Sequence, residues 1–220
     1  MMEDNDTIPI NESVCLLSLT SKESLETLRK NYPFLVDELK VGVKCGRPKQ
    51  ESDEDKYLAA KIDVALNALN AGNKAIVKLS RVVSERIAKA KKLRLISQVV
   101  VLIGSSSLMS STVWGNDLVR QVIAILTFLA ALSSTFAEYY EKLLNPKKGD
   151  IYTIHEKLVP LQFQVSNSIC ELGVLRNIVS PEKEKSKCLK EANGLCALVI
   201  ELIAQFPSVQ YETESITTKD

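Results

Sequence analysis

Wound as a helix at about 100° per residue, Ser97, Gly104, Ser107 and Ser111 fall within roughly an 80° arc. They belong to an apolar stretch whose second half, Ser105 to Thr112, holds five serines and a threonine. Hydroxyls on such a segment can do one of two things. Beside small residues, they let two helices approach closely and hydrogen-bond across the contact. Turned toward water in an assembly of several copies, they line a pore. A second apolar run offers Ala124, Thr127, Ala131, Ser134 and Thr135 at similar spacing. Packing residues and pore-lining residues look alike, so both chemistries stay open for Ser97, Gly104, Ser107 and Ser111.

The other reactive side chains form no constellation. His155, the single histidine, has Glu156 beside it and Glu191 far along the chain, and reads as a surface or packing residue. Cys15, Cys45, Cys170, Cys188 and Cys196 make no CxxC pair and no metal-ligand spacing; an odd, scattered set reads as reduced cytosolic thiols. Neither a Gly-rich phosphate loop nor a GxSxG nucleophile turn is present. The residues therefore point away from an enzyme, and no cofactor or metal is expected. The net charge of +1 carries no global field toward nucleic acid.

The elements that must position the hydroxyls read as helices throughout. The acidic, polar start MMEDNDTIPINES lacks the pattern of a secretory signal, and residues 1 to about 19 read as mobile or loosely docked. In TSKESLETLRK, Thr20 and Glu23 fit a capping box; PFLVDELK then opens a second short helix with Pro33 in its first turn. The stretch VGVKCGRPKQESDEDK, without apolar periodicity, is a linker that closes an N-terminal segment at residue 51. From Ser52, with Asp55 in its first turn, a helical stripe follows: Ile62, Leu66, Leu69, Ile76, Leu79, Val83, Ile87 and Ala90. Gly72 is its weak point. This amphipathic segment (52–94) ends in the basic run ERIAKAKKLR and feeds directly into the apolar block (95–138). Residues 139–206 hold further helices. One spans Ile154 to Val179, bent or restarted near Pro160, with Leu161, Val165, Ile169, Leu172 and Leu175 on one side. The last carries Leu189, Ala192, Leu195, Cys196, Val199, Leu202, Ile203 and Phe206. Residues 207–220 read as a disordered tail.

Residues 95–116 contain no charge and are flanked by Arg94 and Asp117; residues 121–137 contain none and are flanked by Arg120 and Glu138. A bilayer core of roughly 30 Å needs about 20 helical residues, with about 17 the lower limit. The second run reaches that length if Arg120 snorkels to the headgroups. Arg86, Lys89, Lys91, Lys92 and Arg94 precede the block, and Lys142, Lys147 and Lys148 follow it. That is the positive-inside pattern of a hairpin with both termini in the cytosol. Trp114 fits the far interface, Tyr139 and Tyr140 the near one. The basic run reads as a topology and headgroup contact. The fold class expected is all-α: a membrane protein with a two-helix transmembrane hairpin and a cytosolic helical bundle. The alternative is a soluble all-helical interaction protein with the hairpin buried.

This order of parts is similar to the SLATT proteins, two-transmembrane bacterial effectors associated with nucleotide-signalling defence systems. The resemblance rests on the basic-ended helix Tyr57 to Arg94, the tight hairpin Leu95 to Ala137, and the helical tail in which FAEYYEKLL, IYTIHEKL and LGVLRNI follow one another. It covers residues 57–180; the N-terminal segment and Pro160 lie outside the family pattern. The resemblance implies a homo-oligomeric pore-forming or membrane-disrupting effector of the bacterial inner membrane, triggered by a nucleotide-signalling or protease partner. It assigns no catalytic residue. A non-conducting membrane-anchored scaffold would have the same topology.

Overall fold

The computed structural model describes residues 9–43, 54–108, 117–142, 151–178 and 181–206. Among the described residues every regular element is helical, as the composition predicts. The order is α1 (Asn11–Thr20), α2 (Lys22–Asn31), a 3₁₀ turn (Pro33–Leu35), α3 (Glu54–Leu108), α4 (Asp117–Lys142), α5 (Ile151–Asn177) and α6 (Glu182–Ala204). The chain divides into two compact units. One holds the residues up to Leu79 together with those from Lys157 onward; the other is Ser80–Glu156.

In the first unit, α1 packs on α6. The polar N-terminus predicts loose docking here, yet Ile10, Val14, Leu16 and Leu17 are fully buried. The reason lies far along the chain. Asn193 of α6, itself buried, accepts the backbone N–H groups of Glu12 and Ser13 at 3.0 and 3.1 Å. A helix of this length is marginal alone, and its own first residues supply no side-chain cap. The cap comes from α6 instead. Gly72 of α3 lies under the same helix: a Cβ there would meet Leu16 Cδ2 at 3.0 Å and Val199 Cγ1 at 3.4 Å. The glycine that weakens the helix on paper is where α1 and α6 close on α3.

Two polar clusters hold the following segment. Lys61, 1% exposed, lies 3.5 Å from Glu38 and 4.4 Å above the Tyr57 ring, whose hydroxyl donates to Glu38. Arg176 of α5 grips Asp63 of α3 through Nε at 2.8 Å and Nη2 at 3.1 Å, and the Tyr32 hydroxyl donates to the same carboxylate. Removing Glu38 would leave the buried Lys61 charge without compensation, a strongly destabilising change.

Several local expectations shift. Thr20 is the last residue of α1, its hydroxyl bonded to Leu16 O at 2.7 Å; Ser21 holds the N-terminal position of α2, without a side-chain cap. PFL makes a single 3₁₀ turn with Pro33 at its start, and turns follow as far as Gly42, whose φ is +83°. α5 begins at Ile151 and runs through Pro160 as one helix. Pro160 and Glu156, the residue whose carbonyl loses its partner, are both exposed, so no buried acceptor is orphaned. Cys45, Ser52, Lys147, Lys148 and the tail 207–220 lie outside the described residues.

Candidate functional site

The hydroxyl-rich helices meet in the second unit. The buried side of α3 follows a strict seven-residue step: Ile62, Leu69 and Ile76 in the first unit, then Val83, Ala90, Ser97 and Gly104 in the second. Seven-residue spacing is that of a helix-packing seam. The side chains along it shrink toward its end, from isoleucine to glycine. The sequence shows the apolar stripe and the serine stripe as separate features; the step of seven, legible in the spacing alone, joins them into one line.

The small end of that line meets α4. A Cβ on Gly104 would overlap the Thr127 hydroxyl, and Thr127 Cβ would stand 3.5 Å from it. On α4, Thr127, Ala130, Ser134 and Ala137 form the inner side, with Ala130 and Ala137 buried and the hydroxyl residues half-buried. Ala124, Ala131 and Thr135, expected on that face, are exposed. The true steps from Thr127 are three, four and three residues, and a stripe drawn through every small residue mixes two faces.

The outer sides are composed the other way round. On α3, Leu95, Ile96, Val99, Leu102 and Ile103 are exposed, Leu102 by 67%. On α4 the exposed set is Leu118, Val119, Val122, Ile125, Leu126, Phe128, Leu129, Leu132 and Phe136. The span Asp117–Glu138 is long and apolar enough to cross a membrane, and only 6% of it is buried within the chain. Where these two helices meet, the contact is thus made of small and hydroxyl residues, while most of their large apolar residues from Leu95 onward lie outside.

Five of the described hydroxyls donate to acceptors within the protein. Ser97 Oγ donates to Leu93 O at 2.8 Å, Ser106 to Leu102 O at 2.7 Å and Thr127 to Ile123 O at 2.8 Å. Ser133 donates to Leu129 O at 2.9 Å and Thr135 to Ala131 O at 3.2 Å. Each bond runs back one turn along its own helix, the local arrangement open to Ser and Thr in helices.

Of the predicted residues, Ser97 is 2% exposed and Gly104 is buried against Thr127; these two share the inner seam. Ser107 belongs to α3, and Arg120, Tyr139 and Tyr140 to α4, but their side chains lie outside the described residues, as do Ser111 and Trp114. Arg94 is half-buried. His155 is half-buried on α5, and Glu191 is paired on its own helix with Lys187 at 3.9 Å. The Cys196 thiol contacts the Ser13 hydroxyl at 3.5 Å and is pushed up to about 11 by burial, so it is held as an unreactive thiol. Burial likewise raises Cys15 and Cys188. Among the described residues no group of His, Cys, Asp or Glu is arranged to hold a metal ion.

No family model, curated protein or solved structure matches this chain. Its function is therefore argued from the geometry.

Proposed function

We propose that this chain is a two-pass protein of the bacterial inner membrane that inserts through the end of α3 and α4, with both termini cytosolic. The observation that carries this is the composition of the end of α3 and of α4, with a small-residue contact inside and large apolar side chains outside. Burying a large apolar side chain is worth about 1.5–3 kcal/mol. Leaving the nine exposed on α4 half in water would forfeit about 10 kcal/mol, comparable to the whole stability of a domain. Lipid removes that cost, and small residues inside with large ones outside is how membrane helices pack. The test is fractionation of cells expressing the full chain. Retention in the carbonate-washed membrane pellet supports insertion; release into the supernatant without detergent means the apolar face is covered by protein.

The activity that goes with this topology, as the SLATT resemblance implies, is permeabilisation of the membrane by an oligomer, switched on by a nucleotide-signalling or protease partner. One hairpin cannot enclose a water path, so several copies are required. The second reading, a non-conducting anchored scaffold, is favoured by the hydroxyls. Ser97, Ser106, Thr127, Ser133 and Thr135 donate within their own helices, Ser97 is buried, and Gly104 faces Thr127 of the same chain. Ion flux from reconstituted vesicles separates the two: leakage at a defined oligomer size supports the pore, and tight vesicles with correctly inserted protein support the scaffold.

A further inference from the structure

We infer that α3 carries a docking collar for anionic phospholipid headgroups, and that this collar makes insertion of the hairpin depend on them. The inference rests on the membrane reading above and adds a lipid specificity to it. Arg86, Lys89, Lys91, Lys92 and Arg94 place five positive charges in nine residues, and no acidic residue occurs between Glu85 and Asp117. At about 100° per residue these five are distributed around the helix with no gap wider than roughly 100°. They form a ring, where a one-sided patch would suit a protein partner.

Lys89, Lys91 and Lys92 are exposed, and none of the three is in an ion pair among the described residues. The Lys91 ammonium instead lies 5.7 Å from the centre of the Tyr152 ring, a cation–π contact that leaves its charge in place. Glu85, the nearest acid along the helix, is taken up by Arg81 at 3.0 Å. Directly after the ring come the exposed Leu95 and Ile96. A basic ring with three exposed lysines, abutting an exposed apolar belt, matches an anionic leaflet layer by layer: phosphates at the level of Lys89 to Lys92, acyl chains from Leu95 onward. Each basic residue held near an anionic surface is worth roughly fivefold in partition.

The full chain is synthesised cell-free beside preformed vesicles of phosphatidylcholine, or of phosphatidylcholine mixed with phosphatidylglycerol, and floated on a density gradient. The wild type is expected to insert at least about tenfold better into the anionic vesicles at low salt, and molar salt should erase that preference. Combined Lys89→Gln, Lys91→Gln and Lys92→Gln should abolish the preference while leaving basal insertion into phosphatidylcholine. The corresponding lysine-to-arginine variant should keep it, with helical circular dichroism confirming that each variant folds. Equal insertion of the wild type into both vesicles overturns the collar and leaves the membrane reading standing. Failure to float with either overturns both. Tighter binding of the same lysines to a short duplex RNA than to anionic vesicles would assign the ring to nucleic acid and overturn the lipid assignment.

Discussion

Gly104 of α3 sits against Thr127 of α4 so closely that a Cβ on the glycine would occupy the place of the threonine hydroxyl. The hydroxyl cannot swing away freely, because it donates to Ile123 O at 2.8 Å. This contact orients the hydroxyl-bearing side of both helices. Among the described residues Gly104 is the last of a buried line that runs back through Ser97, Ala90 and Val83, and Thr127 belongs to the inner side of α4 that continues to Ala130 and Ala137.

Gly104→Ala should therefore cost about 1–3 kcal/mol, as overpacking does. Thr127→Ala removes the obstructing oxygen at the expense of one local bond and should cost less than about 1 kcal/mol. In the double variant the nearest atom to the new methyl is Thr127's own Cβ position at 3.5 Å, ordinary contact, so most of the loss should be recovered. Chemical unfolding in detergent would give the coupling energy. Additive losses would mean that the two helices do not meet at this point.

Ser97 supplies a second, opposite expectation. Its hydroxyl is spent on Leu93 O and its side chain is buried. Ser97→Ala should change stability by less than about 1 kcal/mol and leave any vesicle flux untouched, whereas Ser97→Leu should loosen the seam by about 1–3 kcal/mol. A fall in flux for Ser97→Ala at unchanged assembly would show that the residue faces water after all.

Helix content, the long α3 stripe and the α6 stripe were readable because 3.6-residue periodicity survives wherever one face meets a core. Seven of the eight residues predicted for α3 are buried, and Leu66 is half-buried at the margin of the stripe. α1 was not readable, because what orders it is Asn193, more than a hundred residues away, and no local pattern encodes a cap supplied by another helix. In the hairpin, length and lack of charge are visible in the sequence, but the phase of the small residues is not. Ala124 and Ala130 are chemically identical, and only the packing of α4 decides that the first is exposed and the second buried.

Asn193 can be tested directly. Asn193→Leu removes the acceptor for the Glu12 and Ser13 amides and should cost about 1–3 kcal/mol, the penalty for buried donors without partners. Amide hydrogen exchange should accelerate across α1 first, with the α3 amides between Ile62 and Ile76 much less affected. Unchanged protection of α1 would mean that apolar contacts of Val14, Leu16 and Leu17 hold it without the cap.

Tyr32 gives the first unit an alkaline limit. Burial, followed by its hydrogen bond to Asp63 and that carboxylate's charge, raises its pKa from 10 to about 12, with Arg176 opposing. The folded pKa lies above the unfolded one, so the unfolded chain loses its proton first as pH rises. The contribution is fully present below about 10 and is lost on approaching about 12. Tyr32 is incompletely buried, so solvent screening keeps the effect small. Tyr32→Phe should remove this segment of the pH dependence while leaving the bidentate Arg176–Asp63 pair in place. Denaturant midpoints measured across that interval for both proteins would check it. Parallel pH profiles for wild type and Tyr32→Phe would show that the phenol keeps its ordinary pKa, and that the Tyr32–Asp63 bond does not outlast the competition with water.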